Sequence, residues 1–66
     1  MKASYDAKTD TFSLILKEDA IVAESDEDKA GAILDYDERG DLVSMEILDA
    51  SHRVTEARKM EFQIAR

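Results

Sequence analysis

The residues of this chain that can do chemistry are carboxylates, hydroxyls and one histidine, because the sequence contains no cysteine. Asp49, Ser51 and His52 bring together the three residue types of a nucleophilic triad, in which a base takes the hydroxyl proton and an acid orients the base. A working triad is assembled by the fold from distant segments, and near neighbours on a chain rarely converge. With no second base available, Asp49 and Ser51 read as capping residues and His52 as a surface side chain. Asp35, Asp37, Arg39, Gly40 and Glu46 fall at positions 1, 3, 5, 6 and 12 of the calcium-loop pattern, whose oxygens wrap a hard cation around a glycine turn. Arg39 places a cation where the fifth-position ligand belongs, and strands are expected to flank the loop where helices are required. A glycosidase-type carboxylate pair needs a cleft of several hundred Å³, which 66 residues do not readily enclose. We therefore assign no catalytic, cofactor-binding or metal-ligating residue and expect no enzymatic activity.

The elements that would have to position any site are few. A chain of 66 residues is one small domain, and a domain of that size buries only about 60% of the surface its unfolded form exposes. Without disulfides or thiolate metal sites, idealised packing or self-association must supply the missing stability. The absence of cysteine fits a reducing cytoplasm, which is the expected location. No apolar run approaches the roughly 18 residues of a membrane span, and Met1-Lys2 leads into polar sequence rather than a signal-peptide core. A soluble protein is expected.

Sixteen acidic against nine basic residues give a net charge of −7, which disfavours nucleic acid and anionic membrane surfaces as partners. The charge is uneven. Residues 1–49 hold fourteen carboxylates against five Lys or Arg, whereas residues 50–66 hold Arg53, Arg58, Lys59 and Arg66 against Glu56 and Glu61. An acidic body carries a basic tail, which can fold back or exchange with a second subunit.

Residues 41–51 contain Val43, Met45 and Ile47 at alternate positions with Ser44 and Glu46 between them, the period-2 pattern of a half-buried strand. Ala32, Leu34 and Tyr36 match it upstream, so the two segments form a hairpin at the middle of one sheet. Asp37 to Gly40 reads as its four-residue loop, Gly40 supplying a positive φ, and that loop length pairs Leu34 with Val43. Residues 2–5 and 11–17 read as an N-terminal hairpin across the polar turn at residues 6–10, with Phe12, Leu14 and Leu16 on one side. A third short strand is expected over residues 20–24, followed by a solvated acidic loop over residues 25–29. After Leu48 the pattern breaks. Residues 50–57 suit a helical turn or short helix capped by Asp49 or Ser51, and Met60, Phe62 and Ile64 alternate as a last strand over residues 59–65. No proline interrupts any ladder. The fold class is therefore α+β and predominantly β: an antiparallel sheet of five to six strands built from hairpins, with one short helix or helical turn after the Glu46-Ile47-Leu48-Asp49-Ala50-Ser51 strand.

Phe12, Leu14, Leu16, Leu34, Val43, Met45 and Ile47 are the expected core. Ile15, Val22, Ile33, Leu42 and Leu48 have the opposite parity and give the sheet a second, partly apolar face, which the C-terminal segment or a partner would cover.

Tyr5-Asp6 with Asp10, Leu34-Asp35-Tyr36-Asp37 with Gly40, and Glu46-Ile47-Leu48-Asp49-Ala50-Ser51 with Arg53 resemble the small prokaryotic family of domain of unknown function 2283. The resemblance covers most of the chain and implies no activity or cofactor. Some family members lie in genes beside a small toxin-like protein, so the resemblance implies an antitoxin-like role. Two functions are carried forward. The first is a protein-interaction module that forms a homodimer and neutralises a small basic protein. The second is a ligand-binding or enzymatic role at an oligomer interface where Asp35, Glu46 and Asp49 of two chains meet.

Overall fold

The computed structural model describes residues 1–65. Five antiparallel strands, β1 (Lys2–Asp6), β2 (Thr11–Ile15), β3 (Glu24–Lys29), β4 (Ala32–Tyr36) and β5 (Leu42–Ile47), form one sheet in the order β1-β2-β5-β4-β3. The Val43-Met45-Ile47 stretch is the central strand; β4 is the hairpin partner the alternation predicts, and β2 flanks it on the other side. A single turn of 3-10 helix, Ala50–His52, follows it, so the predominantly β class holds. No helix among the described residues is long and apolar enough to cross a membrane.

Cross-strand partners share a face of the sheet. Ala3 opposite Leu14, Tyr5 opposite Phe12, Leu14 and Leu34 opposite Met45, and Phe12 and Ala32 opposite Ile47 collect the apolar residues on one side. Ser4 and Ser13, Ile15 and Ser44, Ser44 and Asp35, and Glu46 and Ile33 collect on the other. The expected second apolar face is thus largely polar: only Ile15 and Ile33 of the five named residues lie in its strands. Val22 lies in the irregular link between β2 and β3, and Leu48 follows β5.

Leu42 changes sides because the β4–β5 register is not the expected one. Leu34 faces Met45 rather than Val43, and Tyr36 faces Leu42, so Val43 is the extra residue of a β-bulge. The cause lies in the loop. The Asp37 carboxylate accepts the N–H groups of Arg39 and Asp41 at 3.0 Å each. Its backbone N–H donates to the Asp41 carbonyl at 3.0 Å, and its carbonyl accepts the Gly40 N–H at 3.0 Å. Closing the turn at Asp41 leaves one residue too many on β5, which the bulge absorbs. The Val43 carbonyl then accepts both the Leu16 N–H at 2.7 Å and the Lys17 N–H at 3.1 Å, and Val43 becomes one of the few buried side chains, at 4% exposure.

Three further expectations are corrected. The strand after β2 is residues 24–29, the acidic stretch read as a loop, and not residues 20–24. β4 offers a free ladder that an edge strand can complete through backbone groups alone, and all six β3 side chains remain in solvent. The helical turn expected after Leu48 forms as the 3-10 turn Ala50–His52, but without the cap expected of Asp49. Asp49 precedes it in the left-handed conformation, φ 56°, and makes no capping bond. Residues 59–65 form no strand, because alternation prepares a segment for a ladder but a ladder needs a neighbour.

The segment after the 3-10 turn straps the apolar face. Residues 57–60 lie against Ala3, Tyr5 and Phe12, with Ala57 buried. Upstream, Ala50 is fully enclosed and donates its N–H to the Asp10 carbonyl at 2.9 Å. The Arg53 guanidinium reaches the Ala30 carbonyl and crowds Gly31, whose φ is 92°. The slab measures 34 × 32 × 19 Å, and no large side chain among the described residues is fully buried.

Candidate functional site

The fold disperses the residues that sequence spacing grouped. The Ser51 hydroxyl turns away from His52 and donates to Asp10 at 2.7 Å. His52 Nε2 lies 3.9 Å from an Asp49 oxygen with both side chains mostly in solvent, at 77% and 67% exposure. His52 is a surface residue, and no relay connects it to a nucleophile. In the calcium-like series, Asp35 sits on the polar face and accepts bonds from Ser25 at 2.5 Å and Ser44 at 2.8 Å. Asp37 is committed to its own turn and to Lys17, whose Nζ is 2.6 Å away. No group of three or more His, Cys, Asp or Glu able to hold a metal ion occurs among the described residues. Asp35 and Glu46 share the polar face, whereas Asp49 lies in the turn beyond β5, so the three carboxylates of the interface reading do not converge within one chain.

Two aspartates instead act as hubs, and both span the junction of β2 with β5. Asp10, left-handed at φ 53°, accepts the Tyr5 hydroxyl at 2.7 Å, the Ser51 N–H at 3.0 Å and the Ser51 hydroxyl at 2.7 Å. The bond from Tyr5, then that from Ser51, holds its carboxyl below the usual carboxylate range. The same bond raises the Tyr5 phenol above its ordinary value, because the Tyr5 proton is held by a carboxylate. At the other end of the junction, Lys17 pairs with Asp37 and, at 3.3 Å, with Asp41. The Lys17 bond, then the Asp41 N–H, keeps Asp37 below the carboxylate range, and Asp37 raises Lys17 in turn. These hubs give Tyr5, Asp10, Asp37 and Ser51 structural work in the fold. Lys17 was not legible as a partner, since nothing local marks a pair 20 residues apart.

What the structure leaves open is an edge and a tail. β3 carries Glu24, Asp26, Glu27 and Asp28 against Lys29, is exposed at every residue, and lies at the border of the sheet. Only Glu27 among its carboxylates has an internal task, accepting the Gly31 N–H at 2.9 Å to close the β3–β4 turn. An edge strand presents unpaired backbone N–H and C=O groups to any chain that can lie beside it. The tail exposes Met60, Phe62 and Ile64, at 49%, 72% and 66%.

The fold and these open surfaces define a class: a small, single-sheet acidic domain with a strapped apolar face and a free acidic edge. The chain belongs to the family described as "Protein of unknown function (DUF2283)", which matches residues 2–51. The match takes in all five strands and both hubs and ends before the basic tail. No curated protein and no solved structure matches the chain.

Proposed function

We propose that the protein is an acidic protein-interaction module that accepts an extended basic segment of a partner along β3, acting in the manner of an antitoxin on a small basic protein. The observation that carries this reading is an edge strand exposed at every residue and bearing four carboxylates. Backbone pairing along such an edge supplies affinity, and charge supplies selection and a fast encounter. Like charges directly opposite one another destabilise a ladder, so the acidic edge disfavours acidic strands and suits basic ones.

The test is capture from native cells by the intact chain, at low and high salt, beside a Glu24→Gln, Asp26→Asn, Asp28→Asn variant. These three carboxylates are chosen because Glu27 closes a turn. The expected result is a basic protein held by the wild type, released by salt, and not held by the variant. Equal capture by both proteins rejects β3 as the site.

A further inference from the structure

We infer that residues 59–65 of one copy dock as a sixth strand on the outer edge of β3 in a second copy; this rests on the reading of β3 as an edge that accepts basic strands, and names the chain's own tail as one such strand.

The tail has a strand's pattern and no ladder. Met60, Phe62 and Ile64 alternate with Glu61 and Gln63 and are exposed. Among the described residues, the last backbone hydrogen bond of the segment is that of the Lys59 N–H to the Glu56 carbonyl at 3.2 Å. Three exposed apolar side chains on one side of an extended segment are what a sheet face covers when the segment joins it.

Charge selects the edge. Arg58, Lys59 and Arg66 against Glu61 make the tail basic, and β3 has three more acidic than basic residues. The other edge strand, β1, carries Lys2 and Asp6, which cancel. Two β3 strands cannot meet without opposing carboxylates, so the same charges that block edge-to-edge pairing of the bodies admit the tail.

Reach excludes the tail's own β3. Residues 57–60 lie over β1 and β2, at the border of the sheet opposite β3. From β1 to β3 is four strand spacings, about 19 Å. Six extended residues span about 20 Å, so residues 60–65 would be used up in crossing the sheet and none would remain to pair. A β3 edge on another molecule carries no such cost. Reciprocal exchange between two copies closes the assembly into a two-fold dimer.

The experiment is light scattering and sedimentation on the intact chain and on a full-length Phe62→Pro variant, which removes a ladder donor and locks φ within the tail while leaving the body untouched. The wild type is expected to dimerise with an affinity that falls with salt, and Phe62→Pro to raise the dissociation constant about tenfold or more. A second readout uses the absence of native cysteine: mixing a full-length Asp26→Cys variant with an Ile64→Cys variant should give a disulfide between copies. A monomeric wild type, a dimer unaffected by Phe62→Pro, or no mixed disulfide overturns the inference. A synthetic peptide of residues 58–66 added to the Phe62→Pro protein separates this inference from the reading beneath it. Peptide binding that is lost on Glu24→Gln, Asp26→Asn, Asp28→Asn, with a monomeric wild type, retains the basic-strand edge and rejects the self-docked tail. No peptide binding rejects both.

Discussion

Asp10 and Ser51 stand 41 residues apart and meet twice, the Ser51 N–H donating to one carboxylate oxygen at 3.0 Å and its hydroxyl to the other at 2.7 Å. The pair is a latch. It ties the turn between β1 and β2 to the turn that follows β5, and so holds the C-terminal strap in register with the sheet edge it crosses.

Removing the hydroxyl with Ser51→Ala should cost about 1 kcal/mol in denaturant unfolding, the ordinary worth of one such bond. Tyr5→Phe removes the other side-chain donor to the same carboxylate. Because the two share one acceptor, their effects should depart from additivity in a double-mutant cycle. Strict additivity shows that the two bonds do not cooperate.

Acid should unfold the protein through the two hubs. Asp10 and Asp37 have folded pKa values below their unfolded ones, so their stabilisation is complete above the unfolded carboxylate value of about 4 and is lost as pH falls through the folded values. Between neutrality and about pH 5 the chain sheds negative self-repulsion, which favours the compact state. Thermal midpoints should therefore hold or rise down to about pH 5 and then fall. Asp10→Asn and Asp37→Asn should each flatten the acid limb. In alkali the signs reverse: Tyr5 and Lys17 have raised folded values, and their contribution is lost as pH rises beyond about 10.

Met45 lies on the apolar face between Leu14 and Leu34, while Glu46 lies on the polar face between Ser13 and Ile33. Met45→Asp should cost about 3 kcal/mol or more, a large share of the stability of so small a domain, whereas Glu46→Ala should stay within about 0.5 kcal/mol. Ser44→Ala should fall between them, because the Ser44 hydroxyl donates to Asp35 at 2.8 Å. Circular dichroism during urea unfolding orders the three, and a reversed order for Met45 and Glu46 means the strand faces are exchanged.

Gly31 and Gly40 both hold positive φ, at 92° and 85°, but only Gly31 has a neighbour, the Arg53 guanidinium, 3.2 Å from where a Cβ would stand. Gly40→Ala should cost about 1 kcal/mol for the backbone alone. Gly31→Ala should cost more, because Arg53 must also leave the Ala30 carbonyl. Combining Gly31→Ala with Arg53→Ala tests the difference: the cost of the Gly31 substitution should shrink toward that of Gly40.

Alternation in Val43, Met45 and Ile47 was enough to place the central strand, its hairpin partner β4 and the apolar face, because burial on one side of a pleat leaves a period-2 trace. The pairing of β2 with β5, between segments far apart in sequence, left no such trace. Alternation could not place β3, whose residues are all exposed and are ordered by the free ladder of β4 rather than by side-chain burial. It misplaced the β4–β5 register because one aspartate, Asp37, sets the turn through four bonds that composition does not display. The reading of Asp49, Ser51 and His52 rested on chain proximity; the bond of the Ser51 hydroxyl to Asp10, 41 residues away, was not legible there. The family likeness was legible in Tyr5, Asp10, Asp37 and Ser51, residues whose work in the fold is to clamp the β2–β5 junction.

That junction has a consequence for how the molecule can be assembled. β1 with β2, and β3 with β4 and β5, are each joined by short turns, whereas β2 reaches β5 across the long span between Phe12 and Ile47. The chain is therefore two locally made pieces, residues 1–15 and residues 24–65, connected by an irregular link whose Ile21 is 86% exposed. Cleavage within that link breaks no strand pairing, and the fragments retain a common seam of four facing residue pairs latched at one end by Asp10. Since Lys17 and its carboxylate partners latch the other end, a nick placed after Lys17 leaves both fasteners whole, which makes this small sheet a natural scaffold for fragment complementation.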